Sequence, residues 1–153
     1  LSRRMTAKMF GRAVLAAVLL VAALQLVPYG REHHNPAARN EPAWSSAEVR
    51  SLAVRACFDC HSHETRWPWY SQIAPVSWLV QNHVNEGRRK LNFSQWDRPQ
   101  RKADEAAEEL ADGEMPTAGY TLLHPEALLN LRERQQLMEA LKAIAAGHPK
   151  HAD

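Results

Sequence analysis

Cys57-Phe58-Asp59-Cys60-His61 reads C-x-x-C-H and uses both of the chain's two cysteines. Two thiols one helical turn apart can add to the two vinyl groups of a single haem, forming thioethers. The imidazole that follows them then supplies the proximal nitrogen to iron. A thioredoxin-like redox pair needs a βαβ context, which the surrounding sequence lacks. A zinc site needs two more ligands at finger-like spacing; His63 is near, but four ligands within seven residues cannot easily wrap a tetrahedron. Two cysteines are too few for a disulfide scaffold. The pattern therefore predicts one haem c, attached through Cys57 and Cys60, with His61 on the iron.

The sixth iron position has two candidates. Met115 stands in Gly113-Glu114-Met115-Pro116, a loop by composition that continues to Tyr120, and Pro116 stiffens the backbone after it. Methionine paired with histidine is one of the axial sets of haem iron, and Met115 is the expected distal ligand. His83, at i+4 from Leu79 and i+3 from Val80, is the alternative and would give a bis-histidine site. Met138 reads as a core residue of the last helix. His124 reads as a helix-start residue, and His63 stands too close to the attachment motif to swing round the haem edge. His33, His34, His148 and His151 read as solvent-exposed. The aromatic loop Arg66-Trp67-Pro68-Trp69-Tyr70 could shield an apolar macrocycle, with Trp67 and Tyr70 as candidates for haem packing. Tyr70, a tryptophan nitrogen, Arg66 or Arg88 could donate to a haem propionate. No paired catalytic carboxylates, activated nucleophile or phosphate-binding glycine loop is present, so the chain reads as an electron carrier rather than an enzyme.

These residues need a frame, and the apolar spacing supplies a helical one. Ser45-Ser46-Ala47-Glu48 matches a capping box, and Val49, Leu52, Ala53 and Ala56 recur on one helix face that runs directly into Cys57. Residues 61–74 read as a loop. Pro75 opens a second helix with Val76, Val80, Val84 and Leu91 on one face, and Gly87-Arg88-Arg89-Lys90 near its end. Asp97 and Pro99 start a third helix with Ala103, Ala106, Ala107 and Leu110 inward, stopped at Asp112-Gly113. The last starts at Pro125, carries Leu128, Leu131, Met138, Leu141 and Ala145 as its stripe, and ends at Gly147 and Pro149. No segment alternates with period two. The expected class is all-α: about four helices around one haem, over residues 45–148.

Residues 1–29 have a different character. Residues 13–27 are uncharged and largely apolar, Arg3, Arg4, Lys8 and Arg12 precede them, and Pro28-Tyr29-Gly30 ends the run. That is the layout of a signal or anchor helix whose basic flank stays in the cytoplasm. Leu26, Val27, Pro28 and Tyr29 make a poor signal-peptidase site, so an uncleaved inner-membrane anchor is expected, with the remainder in the periplasm. Residues 30–44, with two prolines and no periodicity, read as an extended linker that lifts the domain off the membrane. The net charge of +2 conceals an asymmetry: from residue 30 on there are fifteen Lys and Arg against seventeen Asp and Glu. A near-neutral soluble part argues against nucleic acid as a partner. The membrane and redox proteins are the expected partners, with Arg88-Arg89-Lys90 either a docking patch or a solvated helix end.

The sequence from Ala56 to Trp78, containing Cys57-Phe58-Asp59-Cys60-His61-Ser62-His63 and Arg66-Trp67-Pro68-Trp69-Tyr70, resembles the bacterial haem-binding domain family of cytochrome c-like proteins. So do His83-Val84-Asn85-Glu86-Gly87-Arg88, Leu91-Asn92-Phe93-Ser94-Gln95-Trp96, Gly113-Glu114-Met115-Pro116, Tyr120, His124-Pro125-Glu126-Ala127 and Asn35-Pro36. The resemblance spans about residues 28–146. It implies an exported or membrane-anchored monohaem domain with a cytochrome c-like helical fold. It also implies that Cys57 and Cys60 attach haem, with His61 proximal and Met115 distal. The chain departs from the family pattern at Thr117, where a second proline is common, and at Leu137-Met138-Glu139-Ala140-Leu141-Lys142, where a tryptophan is common. Electron transfer is the expected function; the alternative is a haem-based gas sensor or small peroxidase with an open or weakly filled sixth site.

Overall fold

The computed structural model describes residues 2–148, with side chains from residue 7 onward. Among these the regular structure is helical: α1 Ser2–Leu24, α2 Ala47–Ala56, α3 Phe58–His61, α4 Val76–Lys90, α5 Ala106–Ala111, α6 Ala118–Leu123 and α7 Leu131–Ala146, with single 3₁₀ turns at Trp69–Gln72 and Pro125–Ala127. The all-α expectation holds, and the sole strand-like pairing among the described residues is an isolated parallel bridge between Asn40 and Gln95. The chain packs as two compact units. One contains residues up to His33 together with Trp67–Asn82. The other contains His34–Arg66 and the chain from His83 on.

In the first unit, α1 carries no charged residue from Ala13 to its end and is exposed at each described position from Ala7 to Ala23. Its segment Ala7–Leu24 has a mean hydropathy of 1.9 and the length to cross a membrane, which suits an anchor or a signal.

The second unit holds the larger core. Val49, Leu52, Ala53 and Ala56, the face expected for α2, are all buried. The cap lies one residue later than the sequence suggested: Ser46 Oγ accepts the Val49 N–H at 3.1 Å, so Val49, not Glu48, occupies the N3 position. Removing that acceptor orphans one N–H of the first turn. Ser46→Ala should therefore cost about 1 kcal/mol, a drop of a few degrees in Tm by calorimetry.

Val84 of α4 is buried and Leu91, just past the helix end, joins this core, whereas Val76, at the start of the same face, is 40% exposed. The third expected helix shrinks to Ala106–Ala111. Upstream, Gln100 accepts the Asn92 N–H and donates to the Gln95 and Arg98 carbonyls, bonds that fold residues 92–100 into turns. Gly113, at φ +77°, ends α5 as the expected left-handed residue.

The last helix also starts late. Asn130 and Glu133 form a reciprocal capping box that begins α7 at Leu131. The buried face is then Leu137, Ala140, Leu141 and Ile144, with Met138 packed at its edge and Leu128 and Leu131 left exposed. α6 begins inside the stretch expected as a loop to Tyr120, and none of its residues is buried. Residues 34–44 are extended, as expected of a linker, but they are not free. Arg39 N–H donates to Ser94 O at 2.9 Å, and Trp96 N–H donates to Asn40 O at 2.9 Å. His148 is buried rather than exposed, its ring edge-on to Trp96 and its Nε2 within 3.1 Å of the Trp96 carbonyl. Pro149 and His151 lie outside the described residues.

Candidate functional site

Cys57 is shared by two helices: it ends α2 and precedes α3. Its carbonyl accepts the N–H of Cys60 at 3.2 Å and of His61 at 2.9 Å. The C-x-x-C-H segment is thus one tight helical turn. The two residues between the cysteines hold that turn from behind. Phe58 is fully buried, stacked on Phe93 at 5.6 Å and tilted against Trp44 at 6.2 Å. Asp59 is buried as well. Its carboxylate accepts the Arg66 backbone N–H at 2.9 Å, the Arg66 guanidinium at 3.1 and 3.2 Å, and the Tyr120 hydroxyl at 2.5 Å. Burial, and next the Asp59 bond, push the Tyr120 phenol above its ordinary range. No local pattern marks Asp59 for this role, because its partners stand seven and 61 residues away.

His61 is oriented by α4. Its Nδ1 lies 3.1 Å from Gly87 O and 3.0 Å from Leu91 O. Two carbonyl acceptors require Nδ1 to carry the proton, which assigns the tautomer and leaves the Nε2 lone pair for a metal. Burial, with Lys90 nearby, lowers the ring's pKa against the pull of the two carbonyls, which favours the neutral imidazole. Gly87 permits this approach. A Cβ built there would lie 2.3 Å from Cys60 O and 2.9 Å from Cys60 C, so α4 can touch α3 at this point only through glycine.

Two adjoining cavities open on this turn, with about 750 and 890 Å³ of empty space including their mouths. Both are bounded by Ala56, Cys57, His61, Lys90, Met115 and Pro116, so together they form one cleft. Leu91, Phe93, Ala106, Leu110 and Leu141 wall the first cavity. Cys60, His83, Gly87 and Tyr120 line the second.

Met115 is half-buried between α5 and α6, its N–H donating to Glu109 O at 3.1 Å. The structure therefore brings Cys57, Cys60, His61 and Met115 to one cleft. His83, the alternative ligand, is exposed and lines the second cavity alone. Trp67 and Tyr70 fall in the first unit and make their ring contacts there, Trp67 stacked on His33 at 4.6 Å and Tyr70 edge-on to Trp69 at 5.9 Å. His33 is accordingly half-buried rather than solvated. His63 is buried and structural, its Nδ1 3.1 Å from Ala37 O and its Nε2 3.0 Å from the Asn92 amide. His124 precedes the 3₁₀ turn and stacks on Tyr120 at 4.4 Å.

Two of the expected propionate donors, Arg66 and Arg88, are engaged elsewhere. Arg66 holds Asp59, while Arg88 donates to Ser62 O, His34 O, Asn35 Oδ1 and Thr65 Oγ1. Arg88 thus clamps the loop, and Arg89 pairs with Glu86. The cations at the cleft are Lys90 and Lys102.

This donor set fits an iron porphyrin. It offers a neutral imidazole with one free nitrogen, a thioether, apolar walls, and two thiols that burial holds in their protonated form, Cys57 pushed up to about 12 and Cys60 to about 11. Thiols raised this far are unlike the low-pKa pairs of disulfide exchange. Among the described residues no group of three His, Cys, Asp or Glu side chains could hold a lone metal ion, which disfavours zinc.

The model of the haem-binding domain family matches residues 19–143, and the chain belongs to that family. It is a haem protein. No curated protein and no solved structure matches it.

Proposed function

We propose that this chain is a membrane-tethered periplasmic c-type cytochrome that carries one haem and transfers electrons. In this reading Cys57 and Cys60 attach the haem, His61 is the proximal ligand and Met115 the distal one. The carrying observation is that both thiols, the oriented His61 imidazole and the Met115 thioether line one cleft. Haem, when bound, supplies a one-electron Fe(III)/Fe(II) couple. The chain's part is to set that couple. The Gly87 and Leu91 carbonyls fix the His61 ring and raise its basicity, the Met115 sulfur favours Fe(II), and Leu91, Phe93, Leu110 and Leu141 keep water away. Tethering is supported by α1, whose apolar surface is exposed on all sides and needs lipid to cover it. The basic residues before the apolar run support a cytoplasmic start and a periplasmic domain. Partners would be redox proteins that dock through small, weak interfaces.

The test is the absorption spectrum of the full chain in detergent, co-expressed with haem-attachment machinery, for wild type and Met115→Ala. The oxidised wild type should show the weak far-red iron–sulfur band, and the variant should lose it. An unchanged spectrum would remove Met115 from the iron. A low-spin form would then assign the sixth position to His83, and a high-spin form would favour the gas-sensor or peroxidase alternative.

A further inference from the structure

Residues 67–82 contain three of the chain's five tryptophans and not one Asp, Glu, Lys, Arg or His. This stretch, with α1 and the residues that follow it, makes up the first unit. It is fastened to the end of the apolar helix. Gln25, the first residue after α1, accepts the Ala74 N–H on Oε1 at 3.0 Å and donates Nε2 to the Ala74 carbonyl at 2.9 Å. That two-point amide clasp spans 49 residues of chain. Ser77 Oγ donates to Tyr29 O at 3.3 Å, and the Tyr29 hydroxyl donates to Asn82 Oδ1 at 2.7 Å. Gly30, at φ +79°, lies so close that an added Cβ would stand 2.4 Å from Ser77 O.

The clasped segment turns four apolar side chains outward, while Trp67, Tyr70 and Trp78 are half-buried. Trp69 is 77% exposed, Leu79 55%, Ile73 44% and Val76 40%, and Leu26 beside the clasp is 84% exposed. Such a surface in water would be costly at roughly 25 cal/mol per Å² of apolar area. Its position suggests what covers it. The 18 residues Ala7–Leu24 rise roughly 27 Å as a helix, close to the roughly 30 Å hydrocarbon core of a bilayer. Gln25, and Ala74 held to it, therefore come at the membrane–water boundary. Tryptophan and tyrosine favour that layer, where one end of the ring is apolar and the other wet.

We propose that Trp69–Leu79 lies in the interfacial layer of the same membrane that α1 crosses, so that the anchor is a helix plus a tryptophan-bearing platform. This rests on the tethering proposed above. It accounts for the exposed Val76 end of α4.

The experiment is photo-crosslinking of the full chain in native membranes, with p-benzoylphenylalanine placed singly at Val18, Trp69 and Leu79 and adducts identified by mass spectrometry. Each variant is first shown to keep the haem spectrum. Lipid adducts at all three positions are expected. Lipid at position 18 with protein adducts at 69 and 79, to a second copy or to another chain, would overturn the platform and leave the tether standing; so would no adduct at either. Absence of lipid at position 18 would overturn the tether itself, and the platform with it.

Discussion

Cys57→Ala combined with Cys60→Ala, in the full chain co-expressed with haem-attachment machinery, will leave no haem mass on the denatured polypeptide, whereas the wild type will carry one. The two thiols belong to a single turn closed by the Cys57 carbonyl on the N–H groups of Cys60 and His61, and both line the cleft that His61 faces. A porphyrin seated on His61 would therefore have both thiols at its edge. Each single variant should retain haem through the remaining thioether. Because the burial of Phe58 and Asp59 anchors the turn independently of the sulfurs, the double variant should still fold. Mass spectrometry after denaturation reads the result. A wild type that binds haem yet shows no added mass would leave the family assignment intact and remove covalent attachment.

Gly87→Ala will destabilise the protein by about 3 kcal/mol, the upper end for overpacking, and will disturb the haem spectrum as well. The new methyl group would meet the Cys60 carbonyl at 2.3 Å. Backbone atoms on both sides cannot rotate away as a flexible side chain would, so α4 must move off α3. That movement carries the Gly87 and Leu91 carbonyls away from His61 Nδ1, and the proximal ring loses its orientation. Against a total stability of roughly 5–15 kcal/mol, a loss this large shows as a clear fall in the denaturation midpoint. Gly119→Ala in α6 is the matched control: nothing lies within 4 Å of its added Cβ, and its effect should stay within about 0.5 kcal/mol. Equal effects at the two glycines would overturn the close-contact argument.

Much of the site was legible because its determinants are local. Cys57, Cys60 and His61 are neighbours in sequence, and the face of α2 that leads into them repeats within ten residues. Met115 could be singled out by its own short context. The helix starts were less legible, since they depend on which polar side chain captures which N–H. Ser46 and the Asn130–Glu133 pair each displaced an expected start, and the bonds of Gln100 replaced the first turns of an expected helix. Residues 118–123 formed a helix without an apolar stripe because their side chains contribute no buried position.

By itself the sequence determined the helical class, the apolar N-terminal helix and the C-x-x-C-H turn, since each rests on composition or on spacing within a few residues, while the family rests on a match over residues 19–143. The tertiary structure decided the rest. Gly87 meets Cys60 across 27 residues, Tyr120 meets Asp59 across 61, and Gln25 meets Ala74 across 49. It also decided that Arg88 is spent on the loop while Lys90 reaches the cleft, and that Val76 stays exposed while Val84 of the same face is buried. Periodicity records which residues share a face of one element. Which element that face meets, and whether it meets one at all, is settled only when segments distant in the chain close on one another.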